Sequence, residues 1–340
     1  MAQDVIPQFA RQLLEIRGKH DGVDLLIVST GGDPMVSWRV VCLLRDRFKK
    51  VAVLLPFAAY SAATLLALGA DEILMHPFSN LGPVDPQLTY QKRIQGQEPE
   101  IIHFGSEDLR NFLEFVRKDV GISDQEQLQR SFELVCKDVG SIPIGVAKRS
   151  AQLALSLGEK LLTLHLNDSA RAKTIAEALN RSFYHHGYPL ARDEAKQIGL
   201  PVSKPDPELE AAMWAAWSDI EAEMQCGRLF TPVDVVFSDP GLTALLSAVQ
   251  QVQMPANLPP QIAQQVYANV LQQVQVVPSP PVEYTLFQAA LESARAAARF
   301  ETIGRVHAIR QPDLNVAINV LPVRSGWSYA GAPQGEGKNE

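Results

Sequence analysis

The chain has 340 residues, 46% of them hydrophobic and 20% charged, with a formal net charge of −7 and a pI near 5.6. That length and apolar content fit one large domain, or one and a half, with a full core, and the acidic balance removes any global electrostatic case for nucleic-acid binding. Cys42, Cys136 and Cys226 are far apart, so they suggest neither a disulfide frame nor a metal site and fit a reducing, cytoplasmic compartment.

No basic stretch followed by an apolar run opens the sequence, so no signal peptide is expected. Residues 5–17 carry Ile6, Phe9, Leu13 and Leu14 on one helical face. Residues 24–30 read as a buried strand ending in Gly31-Gly32-Asp33. Pro34 suits the first turn of a helix over 35–48, whose buried stripe is Val36, Val40, Leu43, Leu44 and Phe48. A second strand, 51–55, stops just before Ala58-Ala59-Tyr60-Ser61-Ala62-Ala63-Thr64, and residues 62–69 suit a short buried helix. Two parallel strands thus deliver a Gly-Gly turn and a serine to one sheet edge. The 17-residue apolar run from Leu54 to Ala70 contains Pro56, Ser61 and Thr64 between strand signals, so a membrane span is the weaker reading of it.

An acyl-transfer site needs such an arrangement: a serine hydroxyl beside a base, and N–H donors where the carbonyl oxygen becomes anionic. Taken alone, Ser61 is as readily a helix cap, and Gly31-Gly32 as readily a turn. A third strand at 72–75 precedes a stiff loop, Gly82-Pro83-Val84-Asp85-Pro86-Gln87. Residues 89–104 read as an irregular flap, followed by helices at 106–120 and 124–139 and another running to about 164. His185 and His186 are adjacent on an extended stretch, which points them to opposite faces and gives no metal-binding geometry. Residues 205–225 form an amphipathic helix, and 242–274 are helical with proline interruptions. An Ala-rich helix over 284–301 and a strand pair, 305–309 with 315–321, follow.

The order and spacing of Ser29-Thr30-Gly31-Gly32, Ser61-Ala62-Ala63-Thr64, Ala70-Asp71-Glu72-Ile73 and Leu81-Gly82-Pro83-Val84-Asp85-Pro86-Gln87 resemble the serine dehydrogenase proteinase family, related to signal peptide peptidase A. Glu194-Ala195 through Gly199-Leu200-Pro201-Val202 is a second point of likeness, so the resemblance covers residues 24–202. It implies an α/β chain of Clp protease/crotonase-like fold, a parallel sheet with crossover helices. It also implies a strand ahead of the first helix that this sequence does not contain: either the start is trimmed or another subunit completes the sheet edge. The expected organisation is a peptidase domain over 1–203, a helical C-terminal extension over 204–277, a helix and strand pair over 278–330, and a disordered tail over 331–340.

On this resemblance Ser61 is the nucleophile, and Gly32 and Ala62 supply the oxyanion-hole N–H groups. Gly31 and Asp85 shape the pocket. Relatives related to signal peptide peptidase A use a lysine base, but no lysine lies between Lys92 and Lys118, where the pattern places it. Lys148 is the chosen candidate, with Lys92, Lys118 and Lys137 as others, and His76 reads as a polar residue at a strand end. The implied activity is peptide hydrolysis through an acyl-enzyme, on a peptide or protein substrate, in a homo-oligomer without cofactor or metal. A silent scaffold of the same fold, or acyl-coenzyme A chemistry, remains as an alternative.

Overall fold

The computed structural model describes residues 1–92, 98–183, 185–247, 259–273 and 275–331. They divide into two compact units, Met1–Asp219 and Ile220–Glu340.

The first unit opens with α1 (Val5–Glu15), β1 (Gly22–Leu26), α2 (Pro34–Arg47) and β2 (Lys50–Leu55). Asp33 caps α2 by accepting the Met35 N–H at 2.8 Å, and Pro34 occupies the first turn, where its missing N–H costs nothing. Next come β3 (Ala58–Ala59), α3 (Ala62–Leu68), β4 (Glu72–Met75), β5 (Asn80–Leu81), β6 (Gln87–Lys92), β7 (Glu100–Gly105) and α4 (Ser106–Glu114), which runs into a π-helical turn, Phe115–Asp119. The unit continues with α5 (Gln125–Val139), α6 (Ser141–Leu162), α7 (Ser169–Arg181), β8 (Leu190–Ala191), α8 (Arg192–Gln197), β9 (Val202–Ser203) and α9 (Pro207–Met224), the last crossing the division at Asp219.

Strands β1, β2, β4 and β9 form a parallel sheet in that order. Val51, Val53 and Leu55 alternate inward along β2, and Ile73 and Met75 do so along β4. Every residue of α3 is buried, which explains why its sequence is apolar all round except at Thr64. A second small sheet, β3-β5-β8, carries the chain leaving β2, with β3 parallel to β5 and β5 antiparallel to β8.

The second unit holds α10 (Pro232–Phe237), α11 (Pro240–Ser247), α12 (Pro260–Gln273), β10 (Val277–Pro278), β11 (Val282–Ser293), β12 (Ala296–Arg310) and β13 (Val316–Gly331). The strands form an antiparallel sheet centred on β12. Val236, Leu242, Leu246, Tyr284, Val306 and Ala308 make its core.

Several expectations change. Residues 284–301, expected as an Ala-rich helix, are β11 and the start of β12, joined by a tight turn with Ser293 opposite Ala296. Alanine favours helix locally, but Ala296, Ala298, Val306 and Ala308 recur at even spacing and are all buried, so the two-residue period of a sheet face wins. The supposed irregular flap contains a ladder from Gln87↔Gly105 to Lys92↔Glu100. Helix α6 begins at Ser141, because Pro143 lies in its first turn and needs no intrahelical donor. Helix α7 has no counterpart among the expected elements. The boundary expected after residue 203 precedes α9, whose Met213 and Trp217 are buried, Trp217 stacking on Phe57 at 5.2 Å between ring centroids. The tail expected to be disordered lies outside the described residues beyond Gly331. No described helix is long and apolar enough to cross a membrane.

Candidate active site

Ser61 stands between β3 and α3 with φ 53° and ψ −117°. A non-glycine residue in this region is strained, and only surrounding structure that fixes it on both sides keeps it there. On the upstream side the Tyr60 N–H donates to Ser29 O at 3.0 Å, and Tyr60 Oη donates to Asn80 Oδ1. Burial raises the Tyr60 phenol above its ordinary range, which keeps it a donor. On the downstream side Ser37 Oγ, wholly buried, donates to Ala62 O at 2.6 Å. Thr64 Oγ1 lies 2.8 Å from both Ala59 O and Gly82 O, tying the first turn of α3 to β3 and to the Gly-Pro loop.

Gly31 packs against this turn. It adopts φ 108°, and a Cβ there would stand 2.8 Å from Tyr60 O, 3.0 Å from Ser61 Cβ and 3.2 Å from Ala62 N. Only glycine permits both the angle and the approach. Its N–H donates to Ser29 Oγ at 3.1 Å. Gly32, at φ 137°, is exposed. The Gly32 N–H and the Ala62 N–H, at the first residue of α3, have no hydrogen-bond partner among the described residues. Gly32 follows Gly31, which packs on the turn, and Ala62 follows Ser61, so two N–H groups without a described partner belong to the segments that meet at the serine. The Met1 backbone lies against this edge: its amino group donates to Gly31 O, and Met1 O accepts the Asp33 N–H at 2.9 Å. Burial foremost lowers the pKa of that amine, against the charges of Asp4 and Asp33.

Ser61, Gly31, Gly32 and Ala62 are thus brought together, but Lys148 is on α6 with an exposed side chain and no ion pair among the described residues. A lysine serves as a base only when desolvation makes it neutral, and this one is hydrated. Lys118 pairs with Glu114 at 3.1 Å and Lys92 with Asp138 at 3.8 Å, while Lys137 is exposed on α5. The Ser61 hydroxyl has no hydrogen-bond partner among the described residues. His76 is buried, stacked on Trp214, with Nδ1 accepting the Phe78 N–H at 3.1 Å.

Asp85 makes a contact that residue patterns did not single out. Its Oδ1 lies 2.6 Å from His186 Nδ1, and its Oδ2 accepts from Gln87 Nε2 at 2.9 Å. The Asp85 hydrogen bond, only partly offset by burial, raises the His186 pKa above the ordinary imidazole value. His185 turns away, its Nδ1 accepting the Gly187 N–H at 3.0 Å. Asn180 Nδ2 donates to Val84 O at 2.7 Å, fixing the loop that carries Asp85. Local sequence held only one hint of this pair: a polar residue between two prolines in an otherwise apolar loop.

Residues 10–94 match the family described as ClpP-like SDH-type serine proteinases. Two proteins of Methanocaldococcus jannaschii, each described as uncharacterized, are similar. One is 29% identical over 182 residues, 53% of this chain and 52% of its own length. The other is 28% identical over 190 residues, 56% of each. The chain thus spans about half the length of the curated relatives it matches. A solved serine-to-alanine mutant of a membrane-bound stomatin-specific protease aligns with TM-score 0.36 and 17% identity, over 60% of this chain and 75% of that one. The family match and the observed parallel sheet agree on the ClpP-like fold, and the matched segment contains Gly31, Gly32, Ser61 and Asp85.

Proposed function

We propose, from the match of residues 10–94 to the ClpP-like SDH-type serine proteinases, that this chain is a serine peptidase hydrolysing peptide bonds through an acyl-enzyme on Ser61. The observation that carries the reading is the backbone of Ser61, held at φ 53° at the start of α3 with Gly31 packed against it, while the N–H groups of Gly32 and Ala62 have no partner among the described residues. Ser61 Oγ attacks the peptide carbonyl carbon, and the developing oxyanion takes the two N–H bonds. Collapse breaks the C–N bond and the leaving amine takes a proton; water then attacks the acyl ester and regenerates the hydroxyl. A Ser61 hydroxyl without a described partner favours a second reading, a silent scaffold of the same fold. Cleavage of a mixed peptide library, read by mass, separates the two. The peptidase reading expects products from the native chain and none from a folded Ser61→Ala variant; cleavage surviving in that variant contradicts it.

A further inference from the structure

Resting on Ser61 as the nucleophile, we infer that Tyr60 is a positioning residue of the site: its hydroxyl on Asn80 and its ring on Gly82 lock the strained turn that presents the serine. The backbone defines that turn. The Ala63 N–H donates to Tyr60 O at 2.9 Å, closing a four-residue turn over Tyr60-Ser61-Ala62-Ala63. Ser61, its second residue, has φ 53° and ψ −117°. These angles mirror the corresponding position of a type II turn, at about −60° and +120°. Glycine suits the mirror-image position because it has no Cβ, and a serine stays there only where its neighbours over-determine the backbone. Relaxation of the turn would rotate the peptide on either side of Ser61. The hydroxyl and the Ala62 N–H would then lose their present placement together.

Tyr60 touches each segment that meets at the serine. Its N–H is committed to Ser29 O, and its carbonyl oxygen stands where Gly31 makes its close approach. Its side chain crosses to β5, where Oη donates to Asn80 Oδ1. Asn80 is a fixed anchor, because its backbone lies in the middle strand of β3-β5-β8, opposite Ala58 on one side and Ala191 on the other. The Asn80 N–H donates to Phe57 O at 2.8 Å. The ring is pinned as well: a Cβ on the buried Gly82 would stand 2.0 Å from Tyr60 Cδ1 and 2.9 Å from Cγ. Gly82 is itself held to β3, its N–H donating to Ala59 O at 2.8 Å. A side chain held at both ring and hydroxyl resists rotation of the Tyr60–Ser61 peptide, the movement that would release the strain. Burial raises the phenol pKa, so the hydroxyl keeps its proton and its bond across the neutral range.

The test is a double-mutant cycle on Ser61 labelling by a fluorophosphonate, with rates measured against probe concentration in the native chain, Tyr60→Phe, Asn80→Ala and the double variant. Tyr60→Phe keeps the ring on Gly82 and removes only the hydroxyl. Each single variant should lose on the order of tenfold in maximal rate, with the half-saturating probe concentration within about twofold of native. The double variant should lose about the same tenfold, not the roughly hundredfold of independent effects. Gly304→Ala, in the second unit, serves as a control destabilised away from the site and should label at the native rate. Native labelling in Tyr60→Phe overturns the assignment, as do multiplying losses in the double variant, a loss confined to the half-saturating concentration, or equal slowing in Gly304→Ala. Hydrogen exchange at the Ala63 N–H, which closes the turn, judges the lock without any chemistry and should quicken on the order of tenfold in Tyr60→Phe. If native Ser61 takes no probe, the nucleophile reading fails, whereas unchanged exchange at Ala63 contradicts the lock itself.

Discussion

Gly31 lies against Ser61 so closely that a methyl group on it would stand 3.0 Å from the serine Cβ. The same methyl would meet Tyr60 O at 2.8 Å, from a backbone at φ 108° that L residues rarely adopt. The turn presenting the serine therefore depends on a residue thirty positions earlier in the chain. Gly31→Ala should destabilise the fold by about 1–3 kcal/mol and abolish probe labelling at Ser61. Urea unfolding followed by circular dichroism checks the first part, and unchanged stability with native labelling contradicts it.

Thr64 secures the other side of the turn. It is fully buried, and its hydroxyl lies between the Ala59 and Gly82 carbonyls. Thr64→Val keeps the shape but removes the hydroxyl's single donor; Ala59 O still accepts the Gly82 N–H at 2.8 Å, so the loss falls chiefly on Gly82 O, at a cost of about 1–3 kcal/mol. A shift of the urea midpoint without a change of slope is the expected result.

Asp71 predicts an acid limb in stability. Burial pushes its carboxyl up, but the Arg45 hydrogen bond, the Val51 N–H and the charges of Arg45 and His165 together bring it below the ordinary value. A lowered carboxyl contributes stability above its unfolded pKa, near 3.9, and that contribution is lost as pH falls through the lowered folded value. The side chain is 36% exposed, so solvent screens part of the effect. Urea midpoints measured below about pH 5 should fall less steeply in Asp71→Asn than in the native chain. Equal slopes contradict the account.

His186 gives the opposite sign. Its pKa is raised in the fold, so its contribution is fully present below the unfolded imidazole value, about 6.5, and fades as pH rises through the folded value. Asp85→Asn should remove this dependence near neutrality. Nuclear magnetic resonance titration of the His186 ring should show its midpoint falling in that variant, and an unmoved midpoint contradicts the pairing.

In the second unit the Tyr284 ring lies over Gly304 on the facing strand, at a register shift in the β12–β13 ladder. A Cβ on Gly304 would overlap that ring. Gly304→Ala should cost about 1–3 kcal/mol through overpacking, with Ser61 labelling retained. Hydrogen exchange localised to β11 and β12 reads this directly.

The Ser61 side of the site was legible because its determinants are local. A strand leading to Gly31-Gly32, a second stopping shortly before Ser61 and an α3 apolar but for Thr64 each leave a pattern within a few residues. The Asp85–His186 pair joins residues 101 positions apart, and nothing near either announces the other. Helix α6 was legible except for its start, which Pro143 obscured because proline breaks a helix interior but not its first turn. β11 and β12 hid behind alanine: local propensity pointed to helix, and only pairing along a long antiparallel ladder reversed it. Lys148 came from the family's need for a base, and sequence carries no measure of the burial such a lysine requires.

The central claim is that Ser61 is an activated nucleophile. Incubating the native chain and Ser61→Ala with a fluorophosphonate, then locating the adduct by peptide mass, tests it most directly. The account predicts a single adduct on Ser61 that is absent from the folded alanine variant. An unmodified Ser61 in a folded native chain, or equal modification of the Ser61→Ala variant at another residue, would contradict it.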